Sequence, residues 1–195
     1  KRMMAYSAIA HAGYVLVGLA VGTPMGSRAV VYYLLAYAFA NLGVFAVIVG
    51  VSARGEEIGD YAGLGRRWPL LAWGMVVYFL SLIGIPPTAG FFGKFYLFSA
   101  ALEQGQVWLA LVMVLNSVIS VGYYYGVVRQ MFLVAETPDV VGISGAPLVA
   151  GTPAAGRCCP AVSTVVVVTV LLTLGIGIGF ERFLAWAAAA ASVLP

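Results

Sequence analysis

The stretch PLLAWGMVVYFLSLIGIPPTAGFFGKFYLFSAAL, residues 69–102, decides how this chain is read. It carries one formal charge, Lys94, and its middle holds Gly84, Pro86, Pro87 and Gly90. A spanning helix needs roughly 20 apolar residues, and this run has more. Lipid offers no hydrogen-bond partners, so a run of this length is predicted to pair its own backbone as helix. Neither proline has an N–H, so the carbonyls of Leu82 and Ile83 lose their usual partners four residues on. The run is therefore predicted to be a broken helix. Freed carbonyls at membrane depth are tolerated only where protein or water satisfies them.

Four further uncharged or nearly uncharged runs flank this one, at residues 3–22, 29–53, 107–128 and 161–180. They are too long and continuous for the alternating strands of a barrel. The expected fold is all-α, a polytopic transmembrane helix bundle of about five spans with one Pro-broken helix. It forms a single membrane domain over residues 1–195, and the Ala-rich tail extends the last helix. The composition agrees: 63% of residues are hydrophobic and 9% are charged, against about 25% charged in soluble domains. Mean hydropathy is +1.02. The net charge of +3 and pI near 9.0 do not indicate a nucleic-acid binder, because the basic residues are separated by apolar runs and form no patch. They read as topology signals. Lys1, Arg2, Arg54, Arg66, Arg67, Arg129 and Arg157 share one side; Arg28 and Arg182 take the other. That bias places the N-terminus and the loops 54–68 and 129–160 in the cytoplasm, and the C-terminus outside.

Several classes of chemistry find no support. Cys158 and Cys159 are adjacent, which suits neither a disulfide framework nor a zinc site, and they read as an inert loop pair. No metal site, nucleotide-binding glycine loop or nucleophile triad is evident, so no cofactor is expected in this chain. Gly13, Gly18, Gly43, Gly122 and the glycines of 175–179 read as close-packing positions. The chain opens at Lys1 without an initiator methionine or a signal peptide, and is expected to be truncated on that side.

Lys94 is the strongest candidate for function. It lies eight residues before the end of its run, about 12 Å of helix. Its stem reaches about half of that, so simple snorkelling is awkward. A charged lysine near the bilayer centre costs on the order of 2.5–3.5 kcal/mol. Such residues face a bundle interior or a wet cavity, and a lysine held there can trade its proton with neighbouring groups, as a proton carrier must. The bland alternative is a structural lysine paired with a neighbouring helix. Gly84, Pro86, Pro87 and Gly90 support the functional reading, because transporters place broken helices at their midplane sites; a plain proline kink is the alternative. His11, the sole histidine, suits a proton relay, against a hydrogen-bonded packing role. Asn116, Ser120 and Tyr124 can offer polar or water contacts. Interhelix hydrogen bonding and an interfacial tyrosine belt over Tyr123–Tyr125 explain them more simply.

Three segments are similar to one family. KRMMAYSAIAHAGY, residues 1–14, resembles a motif of the antiporter-like membrane subunits of respiratory NADH:quinone oxidoreductase, complex I. SLIGIPPTAGFFGKFYLF, residues 81–98, and NSVISVGYYY, residues 116–125, resemble the subunit N type of that family. The match runs over essentially the whole chain but is poor over 136–160. The resemblance implies a bundle of about fourteen helices built on two inverted five-helix repeats, of which this chain is similar to the C-terminal half. It implies that Lys94 is the second repeat's proton-exchanging lysine, and that His11 belongs to a connecting polar axis. It also implies a translocase subunit in a bacterial inner (plasma) membrane, with protons, the lipid bilayer and other membrane subunits as partners. NADH, flavin, iron–sulfur clusters and quinone are implied on other subunits. The rivals are a subunit of a multisubunit cation/proton antiporter or of a membrane-bound hydrogenase and, from another class, a structural membrane scaffold.

Overall fold

A computed structural model describes residues 1–51, 57–135 and 160–191. Helix α1 spans Arg2–Val21 and α2 spans Pro24–Val51. A 3-10 turn, Ile58–Tyr61, and a four-residue α3, Leu64–Arg67, lead into α4, Pro69–Ile83, and α5, Ala89–Glu103. Then come α6, Val107–Leu133, α7, Pro160–Ile178, and α8, Phe180–Ala191. No strand occurs among the described residues. Helices α1, α2, α6 and α7 are long and apolar enough to cross a membrane. Helices α4 and α5, 15 residues each, share the broken run. The fold is thus an all-helical, multi-pass membrane bundle.

Helix α2 is the hub, packed against α1, α4, α5, α7 and α8. It starts five residues before the predicted run, because Pro24 suits the first helical position and Thr23 Oγ1 accepts from the Gly26 N–H at 3.0 Å. Arg28 therefore sits on the first turns of a helix, not in a loop. Tyrosine hydroxyls tie the bundle together where no water can. Tyr32 donates to the Ile176 carbonyl at 3.0 Å, and Tyr78 donates to the Val166 carbonyl at 2.8 Å while meeting Thr169 Oγ1 at 2.6 Å. Between α2 and α4, Glu57 N donates to Asp60 Oδ2 at 3.2 Å, closing a capping box on the short turn.

Several sequence expectations need adjusting. Helix α6 continues to Leu133, past the expected end at residue 128. The tail does not prolong the last span: the chain turns at Gly179, and α8 packs back on α2 through Phe180, Phe183 and Leu184. Gly13 and Gly122 have nothing within 4 Å of a virtual Cβ, so within this chain they are not close-packing positions. Gly18 and Gly43 are, against Val30 and Tyr78 respectively. Arg54, Arg157, the Cys158–Cys159 pair and most of the 129–160 loop lie outside the described residues.

Candidate functional site

The break forms as the prolines require. Helix α4 ends at Ile83, and Gly84 follows in the left-handed region with φ 92°, which costs glycine little. The N–H groups of Gly84 and Ile85 both return to the Leu80 carbonyl at 2.9 Å. The carbonyls of Leu82 and Ile83 remain, and Pro86 and Pro87 have no N–H to offer them. The Pro86–Pro87 peptide is cis. Helix α5 begins beside the last turn of α4. Gly90 N donates to Ser81 Oγ at 3.1 Å, and a Cβ on Gly90 would collide with the Ser81 carbonyl oxygen. On the far side, a Cβ on Gly177 of α7 would collide with the Pro87 carbonyl oxygen. Both glycines are demanded by backbone-to-backbone approach.

Lys94 lies one turn into α5. Helical side chains lean toward their own N-terminus, so its stem runs back over Gly84 to the break. Its ammonium donates to the Leu82 carbonyl at 2.7 Å, to the Ile83 carbonyl at 3.0 Å and to Ser117 Oγ of α6 at 3.1 Å. It also lies 4.4 Å above the centre of the Tyr14 ring. Lys94 is 9% exposed. No carboxylate pairs with it among the described residues. Its charge rests instead on the negative end of the α4 dipole and on the face of an aromatic ring.

His11 is buried on α1. Its Nδ1 is hydrogen-bonded to the Tyr33 hydroxyl of α2, and its Nε2 stands 3.5 Å from the Tyr124 hydroxyl, which also pairs with Ser7 Oγ. Tyr37 packs on the imidazole with ring centres 4.8 Å apart. A void of about 10 Å³ joins His11 to Ser81 and Gly90 at the break, about the volume one water needs. Tyr14, one turn further along α1, meets Ser117 Oγ at 3.0 Å and lies 3.4 Å from the Met113 carbonyl. It touches His11 and Tyr33 only ring to ring, at 5.7 and 6.0 Å. Lys94 and His11 thus belong to two hydrogen-bonded clusters that meet only through the ring contacts of Tyr14 with His11 and Tyr33.

The other sequence candidates separate. Pro86, Pro87, Gly84 and Gly90 build the break. Tyr124 is fully buried in the His11 cluster while Tyr125 is 58% exposed, so the three tyrosines do not form one belt. Ser120 turns inward and donates to its own helix, at the Ser117 carbonyl, at 2.6 Å. Asn116 stands half-buried near Tyr14. Sequence reasoning missed Tyr33 and Tyr37, although their spacing of four puts them on one face of α2. It also gave no site role to Ser7 and Tyr14, which flank His11 on the buried stripe of α1. Between α5 and α6 a groove of about 330 Å³ opens sideways, with Lys94 and Ser117 at its base and Phe91, Phe95 and Val118 on its walls. No group of three His, Cys, Asp or Glu side chains that could hold a metal ion occurs among the described residues.

Residues 1–120 match the family model described as NADH:quinone oxidoreductase/Mrp antiporter, TM. NADH-quinone oxidoreductase subunit N 2 of Symbiobacterium thermophilum is 45% identical over 199 aligned positions, covering 100% of this chain and 36% of the relative. The chain therefore spans about a third of that relative's length. Among solved structures, a chain of respiratory complex I from Thermus thermophilus with bound aureothin superposes with a TM-score of 0.77 at 32% identity. It covers 95% of this chain and 39% of that one. A chain of the Mrp complex from Dietzia sp. DQ12-45-1b gives 0.80 at 27% identity, over 94% and 40%.

Proposed function

The chain belongs to the NADH:quinone oxidoreductase/Mrp antiporter transmembrane family, and from that premise we propose that it is the proton-carrying C-terminal part of a subunit N. In this reading NADH oxidation and quinone reduction, with their flavin and iron–sulfur clusters, occur on other subunits. They drive changes in the membrane arm that alter the protonation of Lys94, and a proton leaves outward. The observation that carries the reading is Lys94 itself. A buried ammonium holds two carbonyls that the double proline has freed, at 2.7 and 3.0 Å. A scaffold gains nothing obvious from a break that must be mended by a desolvated charge. His11 is the relay on the inner side, joined to Tyr33 and Tyr124. Gly84, Gly90, Pro86 and Pro87 keep the break open, and Asn116, Ser120 and Tyr124 frame the two clusters. The protein sits in a bacterial inner membrane with its N-terminus and the 54–68 and 129–160 connectors in the cytoplasm and its C-terminus outside. The exposed arginines Arg66, Arg67 and Arg129 on that side support the orientation.

The deciding experiment is Lys94→Ala in the full-length protein, with complex assembly verified and proton pumping measured beside NADH:quinone activity. Loss of both in an assembled complex is the expected result. Normal pumping by Lys94→Ala or Lys94→Leu would make the lysine structural and favour the scaffold. The superposition on the Mrp complex chain favours a second reading, a cation/proton antiporter subunit using the same lysine; a hydrogenase subunit is the related case. Co-purification with a flavin-bearing soluble arm supports the first reading. Small antiporter subunits, or a nickel hydrogenase, would replace it.

A further inference from the structure

A charged lysine has three N–H donors, and all three of Lys94's are engaged: by the Leu82 carbonyl at 2.7 Å, the Ile83 carbonyl at 3.0 Å and Ser117 Oγ at 3.1 Å. A departing proton must start along one of these bonds. A backbone carbonyl accepts a hydrogen bond but has no proton of its own to pass on. A hydroxyl can accept one proton while releasing another. Only Ser117, of the three, can hand a proton onward. Its surroundings fit that task. Its own carbonyl is occupied by Ser120 Oγ at 2.6 Å, and its hydroxyl is fixed between Lys94 Nζ and the Tyr14 hydroxyl at 3.0 Å. Tyr14 has one O–H, and giving it to Ser117 Oγ, the shorter of its two contacts, leaves the serine's own proton free; its other neighbours, the Met113 carbonyl and the Asn116 side chain, pass no proton on. The remaining side of Ser117 faces the groove of about 330 Å³ between α5 and α6. The groove walls are apolar, so a receiving water is held only at the base, where Lys94 and Ser117 supply the polar partners it needs.

We propose that Ser117 is the proton-transferring residue through which Lys94 discharges, and that water in the α5–α6 groove receives the proton. The inference rests on the reading of Lys94 as a proton carrier. In the step, one N–H bond of the Lys94 ammonium breaks and its proton forms an O–H bond on Ser117. The original hydroxyl proton of Ser117 leaves to a groove water. Lys94 ends as a neutral amine, Ser117 as a neutral hydroxyl, and the positive charge resides on the water. Tyr14 orients the serine and takes no proton.

The test compares Ser117→Ala and Ser117→Thr with the parent, in membranes carrying the full-length protein in its assembled complex. Ser117→Ala removes the relay and adds no bulk. Its proton pumping is expected to fall by about a hundredfold, the low end of what a positioned proton-transfer group contributes. Its residual rate should rise with pH, because hydroxide substitutes for the missing hydroxyl. Ser117→Thr keeps a hydroxyl and should restore both the rate and the parental pH profile. Parental pumping by Ser117→Ala overturns the proposal. So does a Ser117→Thr variant as defective as Ser117→Ala, which would mark a packing position. Lys94→Ala keeps the two ideas apart. If Lys94→Ala fails while Ser117→Ala pumps normally, only the relay falls. If Lys94→Ala pumps normally, the reading of Lys94 falls and takes the relay with it.

Discussion

Replacing Gly90 with alanine places a methyl group where α5 leaves the break. The new carbon would lie 2.8 Å from the Ser81 carbonyl carbon and 2.9 Å from Ser81 Oγ, and would overlap the carbonyl oxygen. The overlap with the oxygen is the deepest of these contacts, and bringing it to the roughly 3 Å that packed atoms keep parts the backbones by about 1 Å. Overpacking of this kind costs about 1–3 kcal/mol, offset by about 0.5–1 kcal/mol of helix propensity. The chemical consequence is larger than the structural one. Lys94 sits one turn beyond Gly90, and its bonds of 2.7 and 3.0 Å would lengthen to about 3.7 and 4.0 Å, outside hydrogen-bonding range. A hydrogen bond to a charged group is worth about 1.5–3 kcal/mol. Losing one at that strength is enough to lower a rate by tenfold or more. The assay is proton pumping in assembled complex, with thermal unfolding of the purified protein beside it. Pumping is expected to fall at least tenfold while the melting temperature drops by only a few degrees. Gly13→Ala, with open space around the site, is the matched control. Parental pumping by Gly90→Ala would refute the claim that close backbone contact at the break sets the lysine's position.

Gly177→Ala pushes against the Pro87 carbonyl oxygen and the Thr88 carbonyl carbon, the latter at 2.7 Å, and is expected to cost about 1–3 kcal/mol in thermal unfolding. Tyr78→Phe removes the bonds to Val166 and Thr169 and should cost about 1 kcal/mol, with pumping retained. His11→Phe keeps the ring contacts but loses the bonds to Tyr33 and Tyr124; reduced pumping in an assembled complex supports the relay, and parental pumping removes it. Burial, with Asp60 beside it, pushes the Tyr61 phenol up from 10 to about 12. Its neutral form is therefore stabilised by folding, and that contribution is complete below pH 10 and lost as pH rises through 12. Proteolysis of the 57–68 segment should accelerate across that window in the parent, and Tyr61→Phe should abolish the acceleration.

The break was legible because its causes are local. A missing N–H and a left-handed glycine act on neighbours a few residues away, so SLIGIPPTAG by itself names the freed carbonyls. Lys94 was legible by its cost, since an isolated charge in an apolar run demands an explanation. The partners of both were not legible. Ser117 and Tyr14 meet Lys94 from positions 23 residues after it and 80 before it, and periodicity gives the buried face of a helix but not its neighbour. Tyr33 illustrates this best: α2 is apolar on nearly every face, so the sequence offers no contrast to show which side looks inward. Tyr124 misled for the opposite reason. Three consecutive tyrosines resemble an interfacial anchor, yet on a helix they point in three directions, and one of them reaches the core. Helix ends moved where capping chemistry, as at Thr23, outweighed the edge of an apolar run.

The divided span also bears on how the molecule is made. Each half, at 15 residues, is about 22 Å long, short of the roughly 30 Å a lone helix must cover to be at home in lipid. During synthesis, then, neither half can settle independently when it emerges. The loop between them finds its shelf at Gly177, and that residue is made long after the prolines. Until α7 arrives, the span is an unfinished joint in the bilayer, and a ribosome stalled before residue 177 should leave it open to water-soluble labelling reagents.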